Sequence, residues 1–438
     1  MKRIFLNSLL LILVLLDIVL LVLSQKLPYD RPELHEVVED DKITVIRLAK
    51  KNYSENSRFA ELIEEYNKDN QDGIRIEVIK LSTTNYQTEL NYLMTSSEEP
   101  DIMNIEADWI RTYIEKRWLI DLLPYIEEDM LGNQTHSVID FLSTYTLDNE
   151  IFVLPTSLTT YRLMYNARLF EKYNINDKDG PKTFQDLVDF TEVISREGKD
   201  KNVYGFVLPL KDPLEGFKKN LEIPSTLSGI NYYNITTERV DFTVYSQWFE
   251  MIREMINQNT ILPGYENIDM NLALNQFAEE NVGMVYVSSE DCPTIQKLYS
   301  KESDWRIILP PEYKSGSNQL IMNYSNYYGI SVNTKEKEKA VLVWKYLNSK
   351  EHIQKLYLAG ENIPIDHNAL FLNSMENQNF MFKSFLPTQK EILQPAYLPE
   401  AENLHRFDTY LKCLTSTEAI KELLVRENFY VRKNLQNK

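Results

Sequence analysis

Residues 42–79 read KITVIRLAKKNYSENSRFAELIEEYNKDNQDGIRIEVI, and this stretch decides the fold class of the chain. Its first apolar residues, Ile43-Thr44-Val45-Ile46, are typical of a buried strand. Apolar residues then recur at positions i, i+3, i+4 and i+7, which predicts one face of a helix. They are Phe59, Leu62, Ile63 and Tyr66. From Ile74 to Val78 apolar and charged residues alternate, so we expect a second strand and a βαβ opening.

The alternation of helices and strands continues beyond this opening. We expect a helix over Tyr86–Thr95, a strand over Ile102–Ile105 and a helix around Trp109–Arg117. Residues 183–186 match a capping box, and the apolar spacing at Ala340–Leu347 predicts a later helix. Such an alternation is typical of an α/β fold, in which helices cover open sheets and ligands bind beyond the carboxyl ends of the strands.

Length, composition and charge narrow the class of protein. The chain has 438 residues, which suggests two domains once the N-terminus is set aside. It is 43% hydrophobic and 26% charged, so it has enough apolar residues for a buried core. The formal net charge is −18, which disfavours nucleic acid as a partner because nucleic-acid binding relies on Lys and Arg.

The N-terminus predicts export from the cytoplasm. Lys2 and Arg3 precede an apolar run, Ile4–Leu23, which is long enough to span a membrane. Residues 1–24 are therefore either a cleaved signal peptide or a signal anchor, and the sequence leaves both open. Residues 25–41 are polar and contain two prolines, so we expect a tether between the membrane and the folded body.

Signatures of catalysis and of metal binding are missing from the sequence. Cys292 and Cys413 show no metal-ligand spacing, and we expect two unbridged thiols. No cysteine stands directly after the apolar run, so a lipid anchor has no attachment point there. The chain has no Gly-x-Ser-x-Gly elbow, His-Glu-x-x-His pair, phosphate loop or dinucleotide fingerprint. We therefore expect a protein that is not an enzyme and that uses no cofactor.

Several segments match, in order, the motifs of a known family. They are Tyr86–Met94 with Pro100-Asp101-Ile102, Trp118–Leu122, Ile151–Thr156, Tyr161–Asn166, Leu169–Lys172, Pro181-Lys182-Thr183-Phe184, Tyr204-Gly205-Phe206, Phe277–Met284, Pro310-Pro311, Tyr328-Gly329-Ile330 and Ala340–Leu347. Together they resemble the family 1 extracellular solute-binding proteins, which deliver sugars and oligosaccharides to ABC importers. The chain departs from the family pattern at two places. The family often has a glycine and a tryptophan where this chain has Ser288–Asp291, and usually has a glycine pair where this chain has Asn323–Tyr328.

The resemblance implies a two-lobed periplasmic-binding-protein fold with a hinge, preceded here by the N-terminal hydrophobic helix. It implies crossings between the lobes near Val153–Leu158, Pro263–Asp269 and Asn323–Gly329. The implied lobes are residues 42–153 with 269–323 and residues 158–263 with 329–438. The ligand would lie between them.

The implied function is that of an extracytoplasmic substrate-binding protein at the cell surface. It would bind a carbohydrate between the lobes and deliver it to the permease subunits of an ABC importer. We expect a monomer, held at the membrane by the N-terminal helix if that helix is not cleaved.

A sugar receptor needs an aromatic platform and polar groups around it. Trp109 and Tyr161 are candidate platforms, and Glu106 and Asp108 are candidate acceptors of hydroxyl hydrogen bonds from the first lobe. Further candidates at strand ends, in the hinge and on the second face are Asn52, Tyr53, Tyr86, Thr156, Phe217, Glu290, Tyr324, Asn326 and Tyr327.

Three alternatives remain open from the sequence. The chain is compatible with a secreted carbohydrate-active enzyme, because a sequence does not exclude two carboxylates at catalytic separation in a cleft. It is also compatible with a membrane-tethered sensory receptor that serves a sensor kinase instead of a permease. The pair Tyr327-Tyr328 motivates a third alternative, the binding of ferric ion.

Overall fold

The structure is a computed structural model. It describes residues 43–81, 86–127, 130, 150–175, 179–212, 216–222, 232–234, 239–298, 304–312, 320–365, 383–388, 391–393 and 400–436. The predicted signal peptide or anchor at residues 1–24 and the tether at 25–41 lie outside this range. Within the described residues, no helix has the length and apolar character needed to cross a membrane.

Strands and helices alternate through most of the described chain. The strands are Thr44–Ala49 (β1), Ile74–Ile79 (β2), Ile102–Ile105 (β3), Leu154–Asn166 (β4), Tyr204–Phe206 (β5), Tyr233–Asn234 (β6), Arg239–Val240 (β7), Val282–Ser288 (β8), Trp305–Ile308 (β9), Leu320–Ile330 (β10), Ile363–Pro364 (β11) and Glu391–Leu393 (β12). The helices are Arg58–Asp69 (α1), Tyr86–Leu93 (α2), Ala107–Glu115 (α3), Ala167–Lys172 (α4), Phe184–Gly198 (α5), Ser246–Asn257 (α6), Met270–Ala278 (α7), Cys292–Leu298 (α8), Lys337–Leu347 (α9), Lys350–Leu358 (α10), Glu400–Thr415 (α11) and Ile420–Gln436 (α12).

The main sheet has the strand order β2-β1-β3-β10-β4-β8-β5, and three short strands pair at its sides. β1 is parallel to β2 and β3, while β10 is antiparallel to β3 and β4. The first half of β4 pairs with β10, and its second half pairs with β8 and β9. β4 therefore runs through both halves of the sheet.

We call the two halves of the molecule the first and second lobes. The first lobe contains β1, β2, β3, β10 and the first half of β4, with α1, α2, α3, α9 and α10. The second lobe contains the second half of β4 with β5, β8, β9, α4 to α8, α11 and α12. The α/β class and the two-lobed architecture predicted from the sequence are confirmed.

Local sequence signals place several elements where the sequence predicts them. In α1 the Ser57 hydroxyl accepts a hydrogen bond from the Ala60 N–H, and the predicted apolar face is largely buried. In α5 the Thr183 hydroxyl accepts from the Asp186 N–H at 3.1 Å, and the Asp186 carboxylate accepts from the Thr183 N–H at 2.8 Å. This is the predicted capping box, which satisfies two N–H groups at the start of the helix.

The second lobe is a sheet with helices on both faces. Along β8, Val285 and Val287 pack with α7 and α8, whereas Met284 and Tyr286 pack with the aromatic core around α6 and α11. This alternation follows from the two-residue period of a strand. On the second face α5 lies against β5 so closely that a Cβ atom at Gly205 would be 2.2 Å from the Thr191 carbonyl oxygen.

The lobe boundaries differ from those that the sequence predicts. The segment Pro263–Asp269 does not cross between lobes, because its carbonyl groups accept hydrogen bonds from the N–H groups of Leu210 and Lys211 in the second lobe. The following residues, 270–308, stay there because β8 pairs with β5 and with the second half of β4. Conversely, α9 packs on β1 and β10 of the first lobe. After α10 the chain returns through β12, which pairs with β10.

Candidate functional site

A cavity of about 680 Å³ lies between the two lobes, and we call it the cleft. Its first-lobe wall follows the carboxyl ends of β1 and β3, and its second-lobe wall follows the end of β8. The middle parts of β4 and β10 also contribute side chains. We call the middle of β4, where its pairing changes from β10 to β8 and β9, together with the segments packed on it, the crossing region. Lining segments are residues 50–59, 104–108, 159–161, 218–219, 270–274, 288–297, 323–327 and 359–362, with few interruptions. The carboxyl ends of strands are the expected position of a ligand in an open α/β sheet.

Nine of the thirteen residues predicted for the site line the cleft. They are Asn52, Tyr53, Glu106, Asp108, Tyr161, Glu290, Tyr324, Asn326 and Tyr327. Their placement agrees with the sequence analysis, while their binding roles stay predictions. The cleft-facing segments include both places where the chain departs from the family pattern.

The other four predicted residues are not among those that line the cleft. The buried Tyr86 hydroxyl donates to the Asn104 carbonyl oxygen at 2.6 Å, and the buried Thr156 hydroxyl donates to the Asn326 carbonyl oxygen at 3.2 Å. Phe217 is buried in the second-lobe core, where its ring stacks on another phenylalanine. In this structure all three side chains are buried in packing contacts, and their binding roles stay predictions.

Trp109 is half-buried and packs against the first-lobe core instead of facing the cleft. Asp108, one position earlier on α3, does line the cleft. Successive residues on a helix point in different directions, so a helix that presents Asp108 turns Trp109 aside. Trp109 therefore lies outside the lining of the cleft, and its role as a platform stays a prediction.

Several lysines of the cleft are missing from the sequence prediction. Lys51 forms an ion pair with Glu106 in the first lobe. Lys219 forms an ion pair with Asp291 at 2.7 Å in the second lobe, and both side chains are nearly buried. The one signal for Lys50 and Lys51 is their position directly after β1, at the carboxyl end of a parallel strand.

Lys50 differs from these paired lysines in the kind of partner it has. Its Nζ donates to the carbonyl oxygen of Lys51 at 2.9 Å and to the amide oxygens of Asn326 and Asn104 at 3.0 and 3.4 Å. Burial lowers the pKa of Lys50 to about 8, although the more distant Glu290 and Glu361 carboxylates favour its charged form. The site thus holds a desolvated ammonium group among neutral oxygens.

Asn326 is held in an unusual backbone conformation within β10. Its φ is +52°, between the paired residues Ser325 and Tyr327 of the ladder with β4. Asparagine tolerates this left-handed region better than most residues. Its amide nitrogen donates to the Ser157 hydroxyl at 2.8 Å and lies 3.4 Å from the Asn362 amide oxygen. Asn326 therefore connects Lys50, the crossing strand β4 and the loop after α10.

Two carboxylates of the cleft have neutral partners. Glu290, in the turn after β8, accepts a hydrogen bond from the Thr159 hydroxyl at 2.8 Å. Glu361 accepts from the N–H groups of Arg58 and Phe59 at 2.5 and 3.1 Å, at the N-terminus of α1. The positive end of the helix dipole there offsets the charge of Glu361.

The aromatic residues of the cleft differ in exposure. Tyr161, Tyr324 and Tyr327 are buried, and the Tyr161 hydroxyl accepts a hydrogen bond from the Asn323 amide at 2.7 Å. Tyr53 is only half-buried and meets the Phe59 ring edge-on at a centroid distance of 6.5 Å. Of these four tyrosines, Tyr53 offers the most accessible ring surface to a ligand.

The described residues contain no cluster of His, Cys, Asp or Glu that suits a metal ion. Tyr327 and Tyr328 are neighbours on β10, so their side chains point to opposite faces, and both are buried. That geometry does not support joint binding of one ferric ion. Cys292 and Cys413 are both free and buried, as the sequence predicts, and they belong to separate cores.

Comparisons with known proteins agree with this fold. Residues 50–353 match the family described as bacterial extracellular solute-binding protein. The fold resembles the GacH receptor of Streptomyces glaucescens, with a TM-score of 0.73 and 15% identity over 90% of this chain and 98% of that one. A Listeria monocytogenes ABC substrate-binding protein matches with a TM-score of 0.70 and 15% identity, covering 90% of this chain and 99% of that chain. A Thermotoga lettingae solute-binding protein matches with a TM-score of 0.73 and 18% identity at the same coverage.

Proposed function

We propose that this chain, which belongs to the family of bacterial extracellular solute-binding proteins, binds a carbohydrate in the cleft and delivers it to an ABC importer. Members of this family and the similar solved proteins are substrate-binding proteins, not enzymes. The alternative of a secreted carbohydrate-active enzyme is therefore set aside.

The chemistry of the cleft carries the proposal. The half-buried ring of Tyr53 faces a space bordered by amide, hydroxyl, ammonium and carboxylate groups. Carbohydrates present weakly apolar C–H faces and a rim of hydroxyls, so a ring surface with surrounding polar groups suits them. The volume of about 680 Å³ falls within the roughly 300–1,000 Å³ typical of small-molecule sites.

The ligands of the similar proteins support the same class of ligand. The GacH receptor was crystallised with acarbose, the Listeria protein with cycloalternan and the Thermotoga protein with α-D-tagatose. All three compounds are carbohydrates or carbohydrate analogues. Because these proteins share under a fifth of their residues with this chain, the particular sugar does not transfer with the fold.

We infer a hinge mechanism from the position of the cleft. Groups of both lobes line it, and β4 runs from one lobe to the other beside it. A solute that contacts both walls would favour the closed arrangement by its difference in affinity for the open and closed states. The closed form would then dock on the permease.

The permease partner and the membrane attachment are also proposals. We propose an extracytoplasmic monomer at the cell surface, with Ile4–Leu23 as its anchor if that segment is not cleaved. Recovery of the permease subunits with the tagged full-length chain from solubilised membranes would support this partner. Recovery of a sensor kinase instead would favour the alternative role as a sensory receptor.

A thermal-shift screen with mono- and oligosaccharides tests the central proposal. A ligand present at 100 times its dissociation constant should stabilise the fold by about 2.7 kcal/mol. We expect at least one carbohydrate to raise the Tm without being chemically altered, as judged by chromatography of the recovered sugar. A panel that leaves the Tm unchanged, while amino acids or peptides raise it, would reject the carbohydrate class.

A further inference from the structure

Lys50 is a cleft lysine that has no adjacent counter-ion among the described residues. Its Nζ donates to the neutral oxygens of Lys51 and Asn326 at 2.9 and 3.0 Å. The contact with the Asn104 amide oxygen is longer, at 3.4 Å, so the third N–H of the ammonium group is the one that a ligand oxygen can take over. No described carboxylate lies within the 4 Å that defines an ion pair with its Nζ. By contrast, Lys51 and Lys219 each have a carboxylate partner.

The two amides that hold Lys50 are fixed in their orientation. The Asn326 Nδ2 donates to the Ser157 hydroxyl, and the Asn104 Nδ2 donates to the Tyr327 carbonyl oxygen at 3.2 Å. Each amide must therefore present its oxygen to Lys50. Since both asparagines are anchored on paired strands, β3 and β10, the ammonium group has a fixed position at the cleft surface.

Other charged groups near Lys50 do not provide a local counter-ion. Glu290 faces it from the turn after β8, and Glu361 faces it from the loop after α10, both beyond ion-pair distance. Glu361 is already bound to two N–H groups of α1. The neighbouring Lys51 opposes the charge on Lys50. His352 is buried and its pKa is lowered to about 3, so it is neutral near pH 7.

An isolated ammonium in a partly desolvated cavity is costly unless an anion pairs with it. A sugar hydroxyl supplies a hydrogen bond but no negative charge. A sugar carboxylate supplies both, and a hydrogen bond between charged groups is roughly twice as strong as one between neutral groups. The charge at Lys50 therefore favours one subclass of carbohydrate over the others.

We propose that the cleft selects an acidic carbohydrate, a sugar or oligosaccharide that carries a carboxylate, and that Lys50 binds this carboxylate. The inference rests on the proposed carbohydrate-binding function and specifies its ligand. Glu290 and the half-buried Tyr53 then face the hydroxyls and the ring of the same ligand.

Matched pairs of sugars test this inference on the full-length chain in mild detergent. The probes are galacturonic acid with galactose, glucuronic acid with glucose, and the oligosaccharides built from each. We expect an acidic member to bind at least about tenfold more tightly than its neutral counterpart in isothermal titration calorimetry. The conversion of Lys50 to methionine, Lys50→Met, should weaken that binding about 10- to 100-fold and leave neutral sugars within about threefold.

The matched control is Lys199→Met, which removes an exposed lysine of the second lobe and should leave every affinity unchanged. A second measurement needs no variant. Affinity of the wild-type chain for the acidic sugar should fall as pH rises above about 8, because the free protein then loses the Lys50 proton that the carboxylate favours. Affinity for a neutral sugar should change little over the same range.

The outcomes separate this inference from the proposed function. If neutral sugars bind as tightly as their acidic counterparts, the acidic subclass is wrong and carbohydrate binding stands. If acidic sugars bind preferentially but Lys50→Met and high pH leave their affinity unchanged, the assignment to Lys50 is wrong. If neither kind of sugar binds, the proposed function itself fails.

Discussion

The crossing region and the cleft each contain a desolvated cation, and the protein treats the two differently. At the crossing, Arg162 on β4 and Glu391 on β12 are 1% and 0% exposed and form an ion pair at 2.8 Å. The guanidinium also donates to the carbonyl oxygens of Ser384 and Leu386. In the cleft, Lys50 has neutral partners only.

This contrast indicates what each charge is for. Arg162 ties β4 to the segment around β12, through which the chain returns toward the second lobe, so its neutralisation is part of the fold. Lys50 is compensated so weakly that burial lowers its pKa to about 8. A charge fully neutralised by the protein serves the architecture, whereas a charge left at a cavity surface is available to a ligand.

Glu391→Gln should produce the largest effect, because it leaves the buried Arg162 without its counter-charge. We expect a loss of about 3–5 kcal/mol in the free energy of unfolding, measured by urea denaturation followed by circular dichroism. Glu338→Gln, at an exposed position on α9, is the control and should change stability by no more than about 0.5 kcal/mol. A loss under about 1 kcal/mol for Glu391→Gln would contradict the structural role of the Arg162–Glu391 ion pair.

Lys50, unlike Arg162, should make the free energy of unfolding depend on pH. Its pKa is about 8 in the folded protein and ordinarily 10.5, so between these values the unfolded chain binds a proton that the folded chain has lost. Stability therefore rises with pH across this window, on the order of 2 kcal/mol for a partly exposed group. Lys50→Met should lack this rise. The free energy of unfolding of the wild-type chain minus that of Lys50→Met should therefore increase with pH across this window.

Identical pH dependence in the wild-type chain and in Lys50→Met would contradict the desolvated state of this lysine. The comparison with Arg162 would then reduce to a difference in hydrogen-bond partners.

Tyr53→Ala tests the aromatic wall of the cleft and should have the smallest effect. A stacking surface of this kind contributes about 1 kcal/mol beyond area burial, so we expect about fivefold weaker binding of the best carbohydrate from the screen. Trp109→Ala should leave the affinity unchanged because Trp109 packs against the first-lobe core. Tyr92→Ala, at an exposed position on α2, is the matched control. Weaker binding in Trp109→Ala but not in Tyr53→Ala would restore the platform that the sequence predicts.

Local patterns allowed the sequence to predict elements of both lobes. The strand β3 has the predicted bounds, and α1 and the capping box of α5 form where their apolar spacing and polar residues indicate. These features depend on residues within one or two turns of each other. Nine predicted site residues line the cleft because the carboxyl ends of parallel strands meet at one edge.

The sequence by itself thus determined the α/β class, the two lobes and the strand ends that face the cleft, because each depends on periodicity or ordered motifs. Only the tertiary structure decided which lobe β8 joins, since strand pairing is a long-range choice that periodicity does not encode. It also decided the rotation of α3, which presents Asp108 and turns Trp109 aside. The sequence could not predict the lowered pKa of Lys50 or its neutral partners, because the two asparagines that contact it lie 54 and 276 residues away along the chain. Burial and neighbours set the properties of a charge, and both arise only when distant segments meet.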